Sequence, residues 1–204
     1  ITIYDNKMLS PCEQKIMELL LPHPFRANSI RKISKLIKSS YALTHASVQS
    51  LRTKRMIKVT KLGNCWACQL NLSADPQLLA QSSLEQARKV LAKVRFGFVV
   101  DEIKAALAES LYILVLFGSQ AKGTATAASD VDLLFVLQNE KDIEETKRKV
   151  RSILLSTNIK IEFDVITAVW LEKMFTEKHS VGREILESCI ILHGAEQYYT
   201  LVRK

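Results

Sequence analysis

The apolar run Leu111-Tyr112-Ile113-Leu114-Val115-Leu116-Phe117 stops at Gly118-Ser119, and a second apolar run, residues 133–137, begins straight after Ser129-Asp130-Val131-Asp132. Both runs have the length of a strand and are bounded by residues that bend or end a chain. Between them stand Gln120-Ala121-Lys122-Gly123 and five small residues, so the segment reads GSQAKGTATAASDVDLLFV. Side chains alternate between the faces of a strand, which turns Asp130 and Asp132 one way and Val131 the other, into the core. Two carboxylates on one face can grip a hard cation, and magnesium takes oxygen ligands while leaving positions open to phosphate. Gly118 lets the backbone approach a ligand closely, and Ser119 opens a helix whose unpaired N–H groups attract anions. The expectation is a metal clamp facing a phosphate cradle.

A third carboxylate is expected from the strand Lys160-Ile161-Glu162-Phe163-Asp164-Val165-Ile166, where alternation puts Glu162 and Asp164 on one face. This order of strand, Gly-Ser, short helix with a basic residue before a glycine, Asp-x-Asp, strand, helix and acid-bearing strand resembles the nucleotidyltransferase fold of the DNA polymerase β superfamily. The resemblance implies Asp130, Asp132 and Asp164 as catalytic metal ligands, Asp164 matching the family's third acid about thirty residues after the pair. It implies Gly118, Ser119, Lys122 and Ser129 as nucleotide-binding positions, Mg²⁺ or Mn²⁺ as cofactor, and a nucleoside triphosphate, ATP, as substrate. Two metals would then stabilise the entering and leaving oxygens while pyrophosphate departs. Lys122 stands where the family usually has arginine; it is cationic but cannot make a bidentate contact. Glu162 is the alternative third acid. Helices are expected at 140–155, 171–179 and 181–191, and this tail resembles the closing part of minimal superfamily members, which lack the domains that hold a primer. A template-directed polymerase is therefore not expected.

Charge divides the chain. Residues 1–76 carry 12 Lys+Arg against 4 Asp+Glu, whereas 77–204 carry 17 of each. A compact basic module joined to a neutral one reads as a polyanion-binding domain, nucleic acid being the commonest polyanion; a merely solvated basic surface is the alternative. Ser10 caps a helix starting at Pro11, with Glu13 in its first turn. A second helix follows Asn28 or Ser29, with Ile30, Ile33, Leu36 and Ile37 at helical spacing, and a third runs over about 44–54 with Val48 and Leu51 inward. Two strand-like runs, 56–60 and 65–70, flank the turn Leu62-Gly63-Asn64. Three short helices and a β-hairpin resemble a winged helix-turn-helix over residues 9–72. That resemblance implies double-stranded DNA as partner: His45, Gln49, Ser50, Arg52 and Thr53 reach bases or phosphates from the third helix. Lys54, Arg55, Lys58 and Lys61 supply backbone contacts.

The domains are thus expected at 1–76 (winged helix-turn-helix), 77–110 (helical) and 111–204 (nucleotidyltransferase, a small mixed sheet flanked by helices), an α+β chain overall. In the middle region a helix over 78–94, with Leu84, Ala87, Val90, Leu91 and Val94 on one side, and another over 100–109 serve as linker, packing or homodimer contact. Four scattered cysteines make no disulfide framework and read as reduced, hence cytoplasmic; Cys65-x-x-Cys68 is half a zinc spacing, with its side chains on opposite faces. The histidines are widely spaced, and Ser119 has no evident histidine partner for hydrolase chemistry. No apolar run approaches the roughly 18 residues of a membrane helix, and no signal peptide is recognisable. The functional expectation is transfer of a nucleoside monophosphate, AMP from ATP, to an acceptor hydroxyl, by an enzyme seated on DNA. Its acceptor is open, a protein or a toxin partner included. The alternatives are a non-catalytic DNA-binding regulator whose C-terminal domain senses nucleotide or dimerises, and an antitoxin acting through a toxin partner.

Overall fold

A computed structural model describes residues 9–63, 65–126, 128–177 and 180–203. Helix α1 (Pro11–Leu20) starts where the sequence places its cap. Ser10 Oγ accepts from Glu13 N at 3.3 Å while Ser10 N donates to Glu13 Oε2 at 2.7 Å, so two helix-end donors are satisfied reciprocally. Glu13 is 4% exposed, and its other oxygen accepts from Lys54 Nζ at 2.7 Å. Burial pushes this carboxyl up, but hydrogen bonds from Lys54, Ser50 and the Ser10 backbone outweigh it and hold the group below its ordinary value.

Strand β1 (Asn28–Ser29), helix α2 (Ile30–Leu36), helix α3 (Tyr41–Thr53), and strands β2 (Ile57–Leu62) and β3 (Cys65–Leu70) complete the N-terminal unit. Ser29 and Ser40 cap the two helices through their hydroxyls. β3 runs between β1 and β2, antiparallel to both. Ile30, Ile33, Val48 and Leu51 point inward as expected, but Leu36 is 53% exposed. The helix ends there, with Lys38 already at φ 53, so its last turn faces solvent. The hairpin turn has Gly63 at φ 57; Asn64 lies outside the described residues.

Helix α4 (Pro76–Leu91) turns most of the expected side inward, with Ala87 in the core and Val90 and Leu91 packed against it, but Leu84 falls outside the buried face. Leu84 is 58% exposed, whereas Leu79, Ser82, Ser83, Gln86 and Ala87 are buried. The reason is polar: Gln14 Nε2 donates to Ser82 O at 3.2 Å and Gln86 Nε2 donates to Glu18 O at 2.9 Å, stitching α4 to α1 through a face of small residues. Helix α5 (Gly97–Ala106) follows.

The C-terminal unit runs β4 (Tyr112–Phe117), α6 (Gly118–Lys122), β5 (Val131–Leu137), a 3-10 turn (Glu140–Asp142), α7 (Ile143–Leu154), β6 (Ile161–Thr167), α8 (Ala168–Thr176), α9 (Ser180–Glu187), β7 (Ile190–His193) and α10 (Ala195–Val202). Its sheet has the order β6-β5-β4-β7, with β5 and β6 parallel and the other pairs antiparallel: a small mixed sheet in an α+β chain. The helix expected over 181–191 is shorter than its spacing suggests. It ends at Glu187, and Ile190 and Ile191 join the sheet beside β4, where β-branched side chains pack well.

Each face of the sheet has its own core. Leu114, Leu116, Leu133 and Phe135 pack with Val99, Val100 and Ile103 of α5 and Val150 of α7. Ile113, Val115, Leu134 and Val136 belong to a cluster that continues through Leu171, Ile185 and Tyr198 into Ile16, Leu20, Ile33 and Leu51 of the N-terminal unit, with Leu79 of α4 in it. One backbone and one side-chain link reinforce the joint: Cys189 N donates to Pro22 O at 3.1 Å, and the His23 ring Nδ1 lies 3.2 Å from Glu187 O.

Leu79 is fully buried in that shared cluster. Leu79→Ala is therefore expected to cost about 2–5 kcal/mol, and chemical denaturation should still show one transition. Two separated transitions in the wild type would show that the units unfold apart. Glu13→Gln should also destabilise at neutral pH. Because the native carboxyl sits below its unfolded value, wild-type stability from Glu13 is present above the unfolded pKa and lost as pH falls through the native one, so the gap between the two proteins should close in acid.

Candidate functional site

Gly118 is held in a conformation that only glycine tolerates well, at φ 68. The neighbouring strand explains why it must also lack a side chain: a Cβ built there would lie 1.9 Å from Asp132 Oδ2. The antiparallel register sets this contact, since Phe117 pairs with Asp132 and the turn to Gly118 comes directly after. Val131 is buried at 2% on the opposite face, as alternation predicts. α6 opens on Gly118 with Phe117 as its cap and no side-chain bond, so the N–H groups of its first turn have no intrahelical partners.

The parallel register brings in β6. Glu162 pairs with Asp132, and Asp164 with Leu134, one same-face position further into the sheet. Asp132, Glu162 and Asp164 therefore share a face. Burial raises the Asp132 carboxyl above its ordinary value, and the negative charges of Glu162, Glu184 and Asp130 raise it further against the opposing pull of Lys122. Like charges crowded around a half-buried carboxylate, with oxygen as the only donor, are what a hard divalent cation relieves, so Asp130 and Asp132 fit such an ion. Among the described residues, however, no three His, Cys, Asp or Glu side chains are gathered closely enough to hold a metal.

The remaining expected positions are occupied as follows. Asp130 is paired with Lys160 Nζ, which also lies 3.8 Å from Glu162 Oε1. The hydrogen bond to Asp130 is the main reason the Lys160 ammonium is raised. Lys122 Nζ is 2.5 Å from Glu184 Oε1 of α9. Ser129 Oγ accepts from Thr126 N at 2.9 Å and Ser129 N donates to Thr126 O at 3.1 Å, so this serine closes the turn that leads into Asp130. Ser119 is half-buried at the start of α6. Lys160 and Glu184 are additions that the sequence reading missed. Lys160 carried a usable signal, since it shares its strand face with Glu162 and Asp164. Glu184 carried none, because its partner is remote in sequence.

An open cleft of about 530 Å³ adjoins Asp130, with Arg95, Gln120, Asn158 and Lys160 among its polar lining and Phe96 and Ile159 among its apolar one. A larger cleft, about 700 Å³, lies at the other end of the strands, around Tyr112, Lys104 and His193, away from these acids.

On the N-terminal unit, Arg52, Thr53, Arg55, Lys58 and Lys61 are exposed, while His45 and Gln49 are half-buried. Ser50 and Lys54 are turned inward to Glu13, so they hold α3 against α1 and do not project with the others. Among the described residues no helix is long and apolar enough to cross a membrane.

Residues 100–192, which contain this arrangement, match the family profile described as a nucleotidyltransferase domain. No curated protein matches the chain. A solved structure from Sulfolobus solfataricus, described as a candidate nucleotidyltransferase, is similar over 55% of this chain and 84% of its own, with 20% identity and a TM-score of 0.32. The profile match supports nucleotidyl transfer as the general function of this region.

Two substitutions test the geometry. Gly118→Ala should destabilise the fold by at least about 1–2 kcal/mol from the left-handed backbone alone, with the Asp132 clash added. Asp132→Asn should do the reverse and raise the Tm at pH 7. A carboxyl raised in the native state stabilises only below its unfolded pKa, and that contribution is lost as pH rises through the native pKa, so asparagine removes a cost that exists only at higher pH. Thermal melts at pH 7 and pH 3 should show the advantage vanish in acid; an advantage that persists there would contradict the stated charge crowding.

Proposed function

We propose that the chain is a metal-dependent nucleotidyltransferase that moves AMP from ATP to an acceptor hydroxyl, joined to a winged helix-turn-helix that holds it on double-stranded DNA. The observation that carries the catalytic part is the seating of Asp132 against the Gly118 turn amid three other acids, inside a segment matching the nucleotidyltransferase profile. Magnesium or manganese bound by Asp130 and Asp132, with Asp164 as third ligand, would supply neutralisation of phosphate charge. The chain's own groups do the rest. N–H groups after Gly118, beginning with Ser119, receive phosphate oxygens, Lys122 contacts the phosphate tail, and Ser129 fixes the approach to Asp130. Asp164 takes the proton of the acceptor hydroxyl. The acceptor oxygen bonds to the α-phosphorus as the bond to the bridging oxygen breaks, and pyrophosphate leaves.

The element order α1, β1, α2, α3, β2, β3, with a hairpin and exposed Arg52, Thr53, Lys58 and Lys61, supports the DNA-binding half of the proposal. A second reading, a regulator in which the nucleotidyltransferase fold senses nucleotide without chemistry, is favoured by one observation: among the described residues the acids around Asp132 are not gathered closely enough for three of them to hold one metal ion.

Labelled ATP with Mg²⁺ or Mn²⁺ and cell lysate should label an acceptor, and Asp130→Asn or Asp132→Asn should reduce labelling about 100-fold or more, as loss of several kcal/mol of charge stabilisation requires. Full cellular effect with both asparagines in place, abolished instead by changes at Gln49 and Arg52, would establish the regulator. For DNA, the full chain should bind duplex at low salt with an affinity that falls linearly on a log–log plot. Alanine at Arg52, Lys58 and Lys61 should flatten that slope by about 2–3. No retention of duplex at low salt would remove the DNA-binding half.

A further inference from the structure

The pairing of Lys122 with Glu184 has a direct consequence for ligand entry. Lys122 ends α6, one short helix after the Gly118 turn, and its ammonium meets a carboxylate that belongs to a different part of the chain, α9. α9 is not free to drift. Ile185 is fully buried, Gly182 packs so closely on α8 that a Cβ would lie 2.6 Å from Met174 O, and just past the helix Cys189 N donates to Pro22 O at 3.1 Å. A fixed backbone thus delivers one acid to the one cation of the GSQAKG segment. That acid also acts on Asp132 across the same space.

We propose that Glu184 is a gating residue for the phosphate end of the substrate: it occupies Lys122 Nζ in the place a phosphate oxygen would take, and a triphosphate enters by displacing it. This rests on the nucleotidyltransferase reading and deepens it. Both side chains are partly exposed, at 45% and 35%. Such a pair is weak enough for a polyanion to break, whereas a deeply buried one would not yield. Until it is displaced the carboxylate also repels the incoming phosphates, a repulsion that a divalent ion bound to the phosphates offsets. A triphosphate with its bound divalent ion can pass; a monophosphate competes poorly.

The test is calorimetric titration of the full chain with inorganic triphosphate and Mg²⁺, which isolates the phosphate contacts from base and sugar, on wild type, Glu184→Gln, Lys122→Met and the double variant. Circular dichroism and thermal melts check that each is folded. Glu184→Gln should bind about fivefold more tightly, the upper range for loss of one exposed ion pair. Lys122→Met should bind more weakly, and in its background Glu184→Gln should give much less than its own gain, a non-additivity that a purely structural role of Glu184 would not produce. Unchanged or weakened binding by Glu184→Gln, or the same gain with and without Lys122, overturns the gate while leaving nucleotide binding intact. Absence of binding by all four proteins overturns the nucleotidyltransferase reading and the gate with it.

Discussion

The contact between the Asp132 carboxylate and the Gly118 turn depends on one pair in the antiparallel register of β4 and β5. Phe117 lies opposite Asp132, so the residue after Phe117 comes against an acid side chain, and only a residue without a Cβ fits. Sliding β5 by one position would send Asp132 to the other face of the sheet and move Val131 out of the core. Packing opposes that slip, because Leu133, Phe135 and Leu137 are fitted to one core and the different side chains Leu134 and Val136 to the other. The apolar interior thereby fixes where a polar group can sit.

Burial on both faces also explains the electrostatics. With its strand committed to two cores, the acid end of the sheet cannot relax away from its neighbours. Glu162 arrives by parallel register, Glu184 by α9 and Asp130 by the turn at Ser129. Lys160 and Lys122 answer this charge from the rim, Lys160 between Asp130 and Glu162 and Lys122 on Glu184. The acids of this region are thus held in balance by the chain's own lysines.

Much of this was legible in the sequence because it is local. The capping serine and acid of α1, the alternation around Val131, the glycine after β4 and the acid-bearing β6 all follow from patterns spanning a few residues. What was not legible came from distance. Leu84 looked like the inner face of α4, but the hydrogen bonds of Gln14 and Gln86 rotate the small and polar face inward. Ser50 and Lys54 looked like surface groups until Glu13, remote in sequence, claimed both. Ile190 and Ile191 have the spacing to extend α9, yet they complete a sheet whose open edge the sequence does not reveal. In each case a partner far along the chain outweighed a weak local preference.

The continuous apolar cluster that runs from Ile16 and Leu51 to Val115 and Val136 has an effect on how the molecule reports occupancy. A ligand that binds only the native form stabilises every part that must open together with its site. The bonds after Arg52, Lys54 and Arg55 lie far along the chain from the acids, but this segment is bracketed by Leu51 and Met56, both buried in the same cluster, so drawing it into a protease's cleft pulls on that interior. Trypsin resistance in the basic half should consequently rise with occupancy of any site in the other half, with no signal passing between them beyond the shared interior.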